Sequence, residues 1–201
     1  MTKSATKPFH AMHSHGFVRV AACTPAVAVG DPGFNAAQTL ALAKEGHARA
    51  CDLMLFPELG LSAYAIDDLF LQDALLRRVE AEIEGLAAAS RDLAPVLIVG
   101  APVEHCGALY NAAVVIARGR ILGVIPKSFL PNYREFYENR WFAPGAGIAG
   151  LTTRLAGQDV PFGTDLVFVA SDLADFSFAA EICEDFWAPA PPSTQAALAG
   201  A

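Results

Sequence analysis

A mixed β-sheet covered by helices is the fold class this sequence predicts, and three observations predict it. Strand-helix-strand order opens the chain, a tight hairpin signal sits in its middle, and one helix carries a sharply one-sided apolar face. Residues 17–23 read as the first strand and 31–34 as a turn. An Ala/Leu-rich helix follows over 35–50, then a second strand over 52–56. The clearest helix covers 72–92, where Leu75, Leu76, Val79, Ile83 and Leu86 recur at three- and four-residue steps and share one face. Residues 96–100 form a third strand. Runs 109–117 and 121–125 flank Arg118-Gly119-Arg120, a hairpin signal with glycine where positive φ is needed. Residues 143–164 hold five glycines and read as loop. Two more strands are expected over 165–170 and 176–182, seven in all, and a helix begins at 193.

Composition narrows the class of partner. The chain has 201 residues, 54% hydrophobic and 17% charged, enough for one domain with a sizeable core. Its net charge of −7 argues against a nucleic-acid partner, which wants a basic face. No apolar run approaches the roughly 20 residues of a membrane helix, and residues 1–16 lack the apolar core of a secretory signal. The cytoplasm is the expected compartment. Cys23, Cys51, Cys106 and Cys183 show neither CxxC nor other ligand spacing, so no metal is expected. His10, His13 and His15 lie in a polar lead-in without framing secondary structure, and residues 1–16 are read as a flexible tail.

Three ionisable groups fall at predicted strand ends. Cys183 ends the run Phe176-Ser-Phe-Ala-Ala-Glu-Ile-Cys183, ahead of Glu-Asp-Phe-Trp187 and the prolines at 189, 191 and 192. A strand ending there, with a sharp turn and a helix start after it, exposes the thiol where following N–H groups can face an oxyanion. The alternative is a buried cysteine packing as a small hydrophobe. Glu58 follows Leu53-Met-Leu-Phe-Pro, placed either as a general base or as a turn cap. Lys127 follows Val124-Ile-Pro, an ammonium at a strand end or a solvated loop residue.

Phe-Pro-Glu58-Leu, Pro-Lys127 and Glu-Ile-Cys183-Glu-Asp, spaced by 69 and 56 residues, resemble the Glu-Lys-Cys triad of the nitrilase superfamily of carbon–nitrogen hydrolases. Leu130-Pro-Asn-Tyr-Arg-Glu-Phe-Tyr-Glu-Asn-Arg-Trp-Phe142 and Glu181-Ile-Cys-Glu-Asp-Phe-Trp-Ala-Pro-Ala-Pro-Pro-Ser193 are similar to the glutaminase-domain branch found in bacterial glutamine-dependent NAD+ synthetases. The resemblance runs from about residue 17 to the end. It implies an α/β fold, the nitrilase-like αββα sandwich, incomplete at the C-terminus, because family members continue past the nucleophile with further strands and helices.

That resemblance also assigns roles. Cys183 attacks the glutamine side-chain amide, Glu58 shuttles the proton, and Lys127 with the backbone N–H of Glu184 holds the oxyanion. Lys127 is further expected to lower the thiol pKa. Glu135, eight residues after Lys127, matches a second glutamate beside the triad; its alternative is a salt bridge with Arg134 or Arg140. Tyr64, Tyr133 and Glu184 match substrate-pocket positions. No cofactor is implied for this step, and ATP and Mg2+ would belong to a synthetase domain absent from these residues. The released ammonia would serve ATP-dependent amidation of deamido-NAD+, in an enzyme expected to be a homo-oligomer. Two other readings stand beside it: a free-standing aliphatic amidase or N-carbamoyl hydrolase, and an inactive fragment with an interaction role. The chain by itself is expected to lack efficient glutaminase activity and to associate in solution.

Overall fold

A computed structural model describes residues 11–173 and 175–201. Its frame is a seven-stranded sheet of β1 (Val20–Ala22), β2 (Leu53–Leu55), β3 (Val96–His105), β4 (Ala108–Ala117), β5 (Arg120–Pro126), β6 (Leu151–Leu155) and β7 (Gln158–Phe162). The order across the sheet is β1-β2-β3-β4-β5-β7-β6. β1, β2 and β3 run parallel because α1 (Pro32–Ala48) and α2 (Asp73–Ala89) carry the chain back between them. β3, β4 and β5 are antiparallel, joined by tight turns. At Arg118-Gly119 both residues have positive φ, 51° and 83°, the twist a two-residue hairpin requires.

Helix α1 starts where Asp31 accepts the N–H of Phe34 at 3.0 Å and Pro32 opens the first turn, so the expected turn at 31–34 is the helix entrance. The apolar face read from the sequence for α2 is the buried one: Val79, Ile83 and Leu86 pack with Leu97, Val99, Val114 and Ile116 of the sheet. The opposite face is covered differently. Ile98, Ala113, Val115 and Ile125 meet Leu166, Phe168, Phe178 and Ile182 from the C-terminal segment. Toward β1 and β2 that covering is partial; Val20 is 60% and Leu55 48% exposed beside an apolar cavity that Phe176 and Phe178 help line.

Three expectations change. Residues 143–164 are not all loop, since β6 and β7 form a hairpin turning at Ala156 and Gly157, both at positive φ. Thr153, Leu155, Val160 and Phe162 point inward, so the two-residue alternation was present beneath the glycines. The described residues therefore contain nine strands. The last two, β8 (Phe168–Val169) and β9 (Ser177–Phe178), pair only with each other, which shortens both expected strands. Residues 179–182 carry the chain to Cys183 without a ladder, and a 3-10 turn, Cys183–Trp187, precedes α3 (Pro192–Leu198). Of the expected N-terminal tail, residues 1–10 lie outside the described residues. Met12–His15 forms one 3-10 turn, with His13 Nε2 at 2.9 Å from Asp52.

Candidate active site

Backbone packing brings Glu58 to the sheet. The Pro57–Leu59 segment crosses Gly100 of β3 so closely that a Cβ there would sit 2.3 Å from the Pro57 carbonyl oxygen and 2.4 Å from the Leu59 nitrogen. Only glycine permits that crossing. Leu59, buried at φ 50°, then turns the chain so that its neighbour Glu58 meets β4 and β5.

Lys127 continues directly from β5 and is fully buried. Its Nζ donates to Glu58 Oε1 at 2.7 Å and to Glu138 Oε1 and Oε2 at 2.8 and 3.0 Å. Burial alone would push the ammonium down, but the two carboxylates win and hold its pKa above the ordinary lysine value. Tyr64 donates to Glu138 Oε1 at 2.6 Å, and burial together with that bond raises its phenol. Asn111 of β4 donates from Nδ2 to Glu58 Oε1 at 2.7 Å. Lysine and asparagine thus converge on one oxygen of Glu58. Its surroundings are more polar than the apolar run before it suggested.

Cys183 lies at the mouth of this cluster. It is free, exposed, and held at φ 47°, a left-handed conformation costing a non-glycine residue about 1–3 kcal/mol. Asp185 pins it there. One Asp185 oxygen accepts the N–H groups of Ser128 and Phe129 at 2.9 and 2.7 Å, and the other accepts that of Ile182 at 3.1 Å. A single buried carboxylate therefore ties the residues after Lys127 to the residue before Cys183. Glu184 follows at the start of the 3-10 turn, where backbone N–H groups have no intrahelical partner. Together Glu58, Asn111, Glu181 and Cys183 line a cavity of about 260 Å³.

The thiol departs from expectation. Its pKa is raised, first by burial and then by the Glu58 charge, with Lys127 pulling the other way but not prevailing. Burial acts first and the charge of Glu58, which lines the same cavity, adds to it, whereas the Lys127 charge is already engaged by two carboxylates. Cys183 therefore rests as a thiol that needs a base.

Glu135 is corrected. It is exposed on the loop, and the carboxylate against Lys127 belongs to Glu138, 1% exposed and eleven residues on from the lysine. Arg140, one of the two partners in its alternative salt-bridge reading, instead pairs with Asp68 at 2.6 Å. Tyr133 and Glu184 come together, the phenol donating at 2.9 Å to one carboxylate oxygen, both on the exposed side of Cys183. Asn111, Glu138 and Asp185 escaped the sequence reading. Asn111 left a signal as the lone polar residue inside the apolar run 109–117, and Glu138 as an acid set among aromatics.

This correction has a measurable consequence. Glu138→Gln should cost about 1.5–3 kcal/mol of stability, the usual worth of a hydrogen bond to a charged group. Glu135→Gln should stay within about 0.5 kcal/mol of wild type, as surface changes do. Urea unfolding of the two variants checks the contrast, and equal losses would contradict the placement.

Among the described residues no group of three or more His, Cys, Asp or Glu could hold a metal ion, and no helix is long and apolar enough to cross a membrane. Comparison with known proteins agrees on one lineage. A glutamine-dependent NAD(+) synthetase of Mycobacterium tuberculosis is 56% identical over 193 residues, covering 96% of this chain, and one from Mycobacterium leprae is 51% identical over the same length. The chain spans 28% of the length of each. The crystal structure of a glutamine-dependent NAD(+) synthetase from Cytophaga hutchinsonii superposes with a TM-score of 0.75 at 26% identity, over 83% of this chain and 28% of that one. An amidase from Nesterenkonia sp. shares the fold at a TM-score of 0.55 and 19% identity, over 71% of this chain and 53% of that one. Residues 19–201 match the carbon–nitrogen hydrolase family, and the chain belongs to it.

Proposed function

We propose that this domain hydrolyses the side-chain amide of glutamine, with Cys183 as nucleophile, Glu58 as proton shuttle and Lys127 as oxyanion support. The observation that carries the reading is that three groups 69 and 56 residues apart in the chain meet at Glu58, which lines one cavity with Cys183 and accepts from buried Lys127 behind it at 2.7 Å. Glu58 takes the thiol proton as sulfur bonds to the amide carbon. Lys127 Nζ and the Glu184 N–H stabilise the resulting oxyanion. Glu58 then protonates the leaving nitrogen, ammonia departs, and a water molecule enters. The water gives its proton to Glu58 and cleaves the thioester, and sulfur recovers its hydrogen. Tyr133 and Glu184, whose side chains pair at 2.9 Å, hold the amino-acid end of the substrate in this reading.

Glutamine is favoured over simple aliphatic amides because relatives 56% and 51% identical carry the glutamine-dependent name, whereas the amidase likeness extends to the fold alone. In a longer protein such as those relatives, the ammonia would feed amidation of deamido-NAD+, with ATP and Mg2+ used at the synthetase centre. A diazoketone analogue of glutamine tests the assignment. It should alkylate Cys183 and leave Cys23, Cys51 and Cys106 unmodified in the folded protein, as read by peptide mass spectrometry. Labelling spread across all four cysteines would sink it.

A further inference from the structure

Asn111 carries an atom that the protein leaves without a partner. Its Nδ2 is committed to Glu58 Oε1 at 2.7 Å, and its backbone oxygen accepts the Lys127 N–H at 2.8 Å. Its side-chain oxygen, Oδ1, is buried and accepts no hydrogen bond. The residue is 1% exposed and lines the cavity shared by Glu58 and Cys183. A buried acceptor left unmade costs about 1–3 kcal/mol, so an atom retained in that state beside reactive groups points to a donor that arrives with the substrate.

The geometry points to Asn111 Oδ1 as the acceptor for an N–H of the leaving nitrogen, an inference that rests on the amide-hydrolysis reading above. The chemistry asks for such an acceptor. When the C–N bond breaks, the nitrogen lone pair must face the proton on Glu58, so its N–H bonds point elsewhere. Glu58 Oε1 is already taken by Lys127 and Asn111, and Lys127 offers only donors. Asn111 is bonded to Glu58 through Nδ2, so its free oxygen belongs to the same amide group that holds the shuttle. One amide thus performs two tasks: Nδ2 fixes the shuttle, and Oδ1 orients the group that the shuttle protonates. The first makes it a positioning residue, and the second a contact to the reacting atoms.

Microscopic reversibility supplies the test, because the same acceptor serves an amine attacking the acyl-enzyme. Acylate Cys183 with glutamate γ-ethyl ester, releasing ethanol, and let hydroxylamine and methanol compete for the thioester. Each nucleophile gives one proton to Glu58 as its new bond to carbon forms and the C–S bond breaks. Hydroxylamine nitrogen retains another hydrogen for Oδ1, whereas methanol oxygen has none. In Asn111→Leu, and in Asn111→Ala should the leucine form fail to fold, the hydroxamate-to-methyl-ester ratio should fall about tenfold, the worth of one hydrogen bond. Loss of Glu58 placement alone would slow both nucleophiles together. An unchanged ratio with both rates lowered overturns the Oδ1 role and leaves glutamine hydrolysis standing. Failure of the wild-type protein to form a glutamyl adduct on Cys183 overturns the hydrolysis reading itself, and this role with it.

Discussion

Assayed within a longer protein such as the relatives, Glu58→Gln should leave a folded protein whose glutamine turnover is lower by about 10³-fold or more, while Cys183 becomes easier to alkylate. Both halves follow from the same carboxylate. Proton transfer by a positioned side chain is typically worth about 10²–10⁴-fold, and Glu58 is the carboxylate that acts most strongly on the thiol. Lys127 keeps Glu138 as its ion-pair partner in the variant, so the buried ammonium is not stranded. The alkylation effect has the opposite sign because Glu58 helps raise the thiol pKa. Removing its charge leaves the Lys127 pull opposed mainly by burial, and the midpoint of iodoacetamide labelling against pH must fall. Glutamine turnover and a labelling titration measured on one preparation settle it. Near-normal turnover, or a midpoint that rises, would remove Glu58 from the role of base.

Lys127→Met should do the most damage to the fold and the chemistry together. Taking one partner from a buried charge pair costs about 3–5 kcal/mol, and here Glu58 and Glu138 would face each other without the ammonium between them. Losing the proposed oxyanion donor would add about 10²–10³-fold in kcat. The stability term carries a pH signature. Because Lys127 titrates above the ordinary lysine value of 10.5 in the folded protein, its contribution is fully present below that pH. It disappears as pH rises through the elevated folded value. Urea midpoints of wild type and K127M should therefore stay apart at neutral pH and converge under strong alkali. A gap unchanged by alkali would show that packing, not the ion pair, carries the loss.

The sequence made the helices and central strands readable because their periodicities are uninterrupted. The α2 stripe of Val79, Ile83 and Leu86 and the apolar runs of β3 to β5 state their own burial. The hairpin of β6 and β7 was hidden because glycines on either side of it mimic loop composition, although Ala156-Gly157 is an adequate turn. Within the site, Glu58, Lys127 and Cys183 stood out as ionisable groups following apolar runs. Their meeting was not visible at the level of local pattern, since it depends on Gly100 admitting the Glu58 backbone across β3. The choice between Glu135 and Glu138 had the same character. Both lie in one aromatic-rich loop, and only the path from Pro131 to the 3-10 turn Glu138–Arg140 decides which carboxylate faces inward. Asp185 gave no signal, because its partners are backbone amides, which sequence does not distinguish.

The cluster around Lys127 also keeps a constant total charge. At rest two carboxylates, one ammonium and a neutral thiol sum to −1. In the proposed attack on a neutral amide, Glu58 would hold the proton, the substrate oxygen would be negative, and the sum would still be −1. Charge moves by a few ångströms inside the site and none has to be brought in from water. Surrounding dipoles set for the resting state are then already close to what the intermediate needs, and bulk salt should have little grip on the chemical step. Ionic strength would act instead on how the ammonium and carboxylate of a zwitterionic amino acid are held at the exposed Tyr133–Glu184 pair.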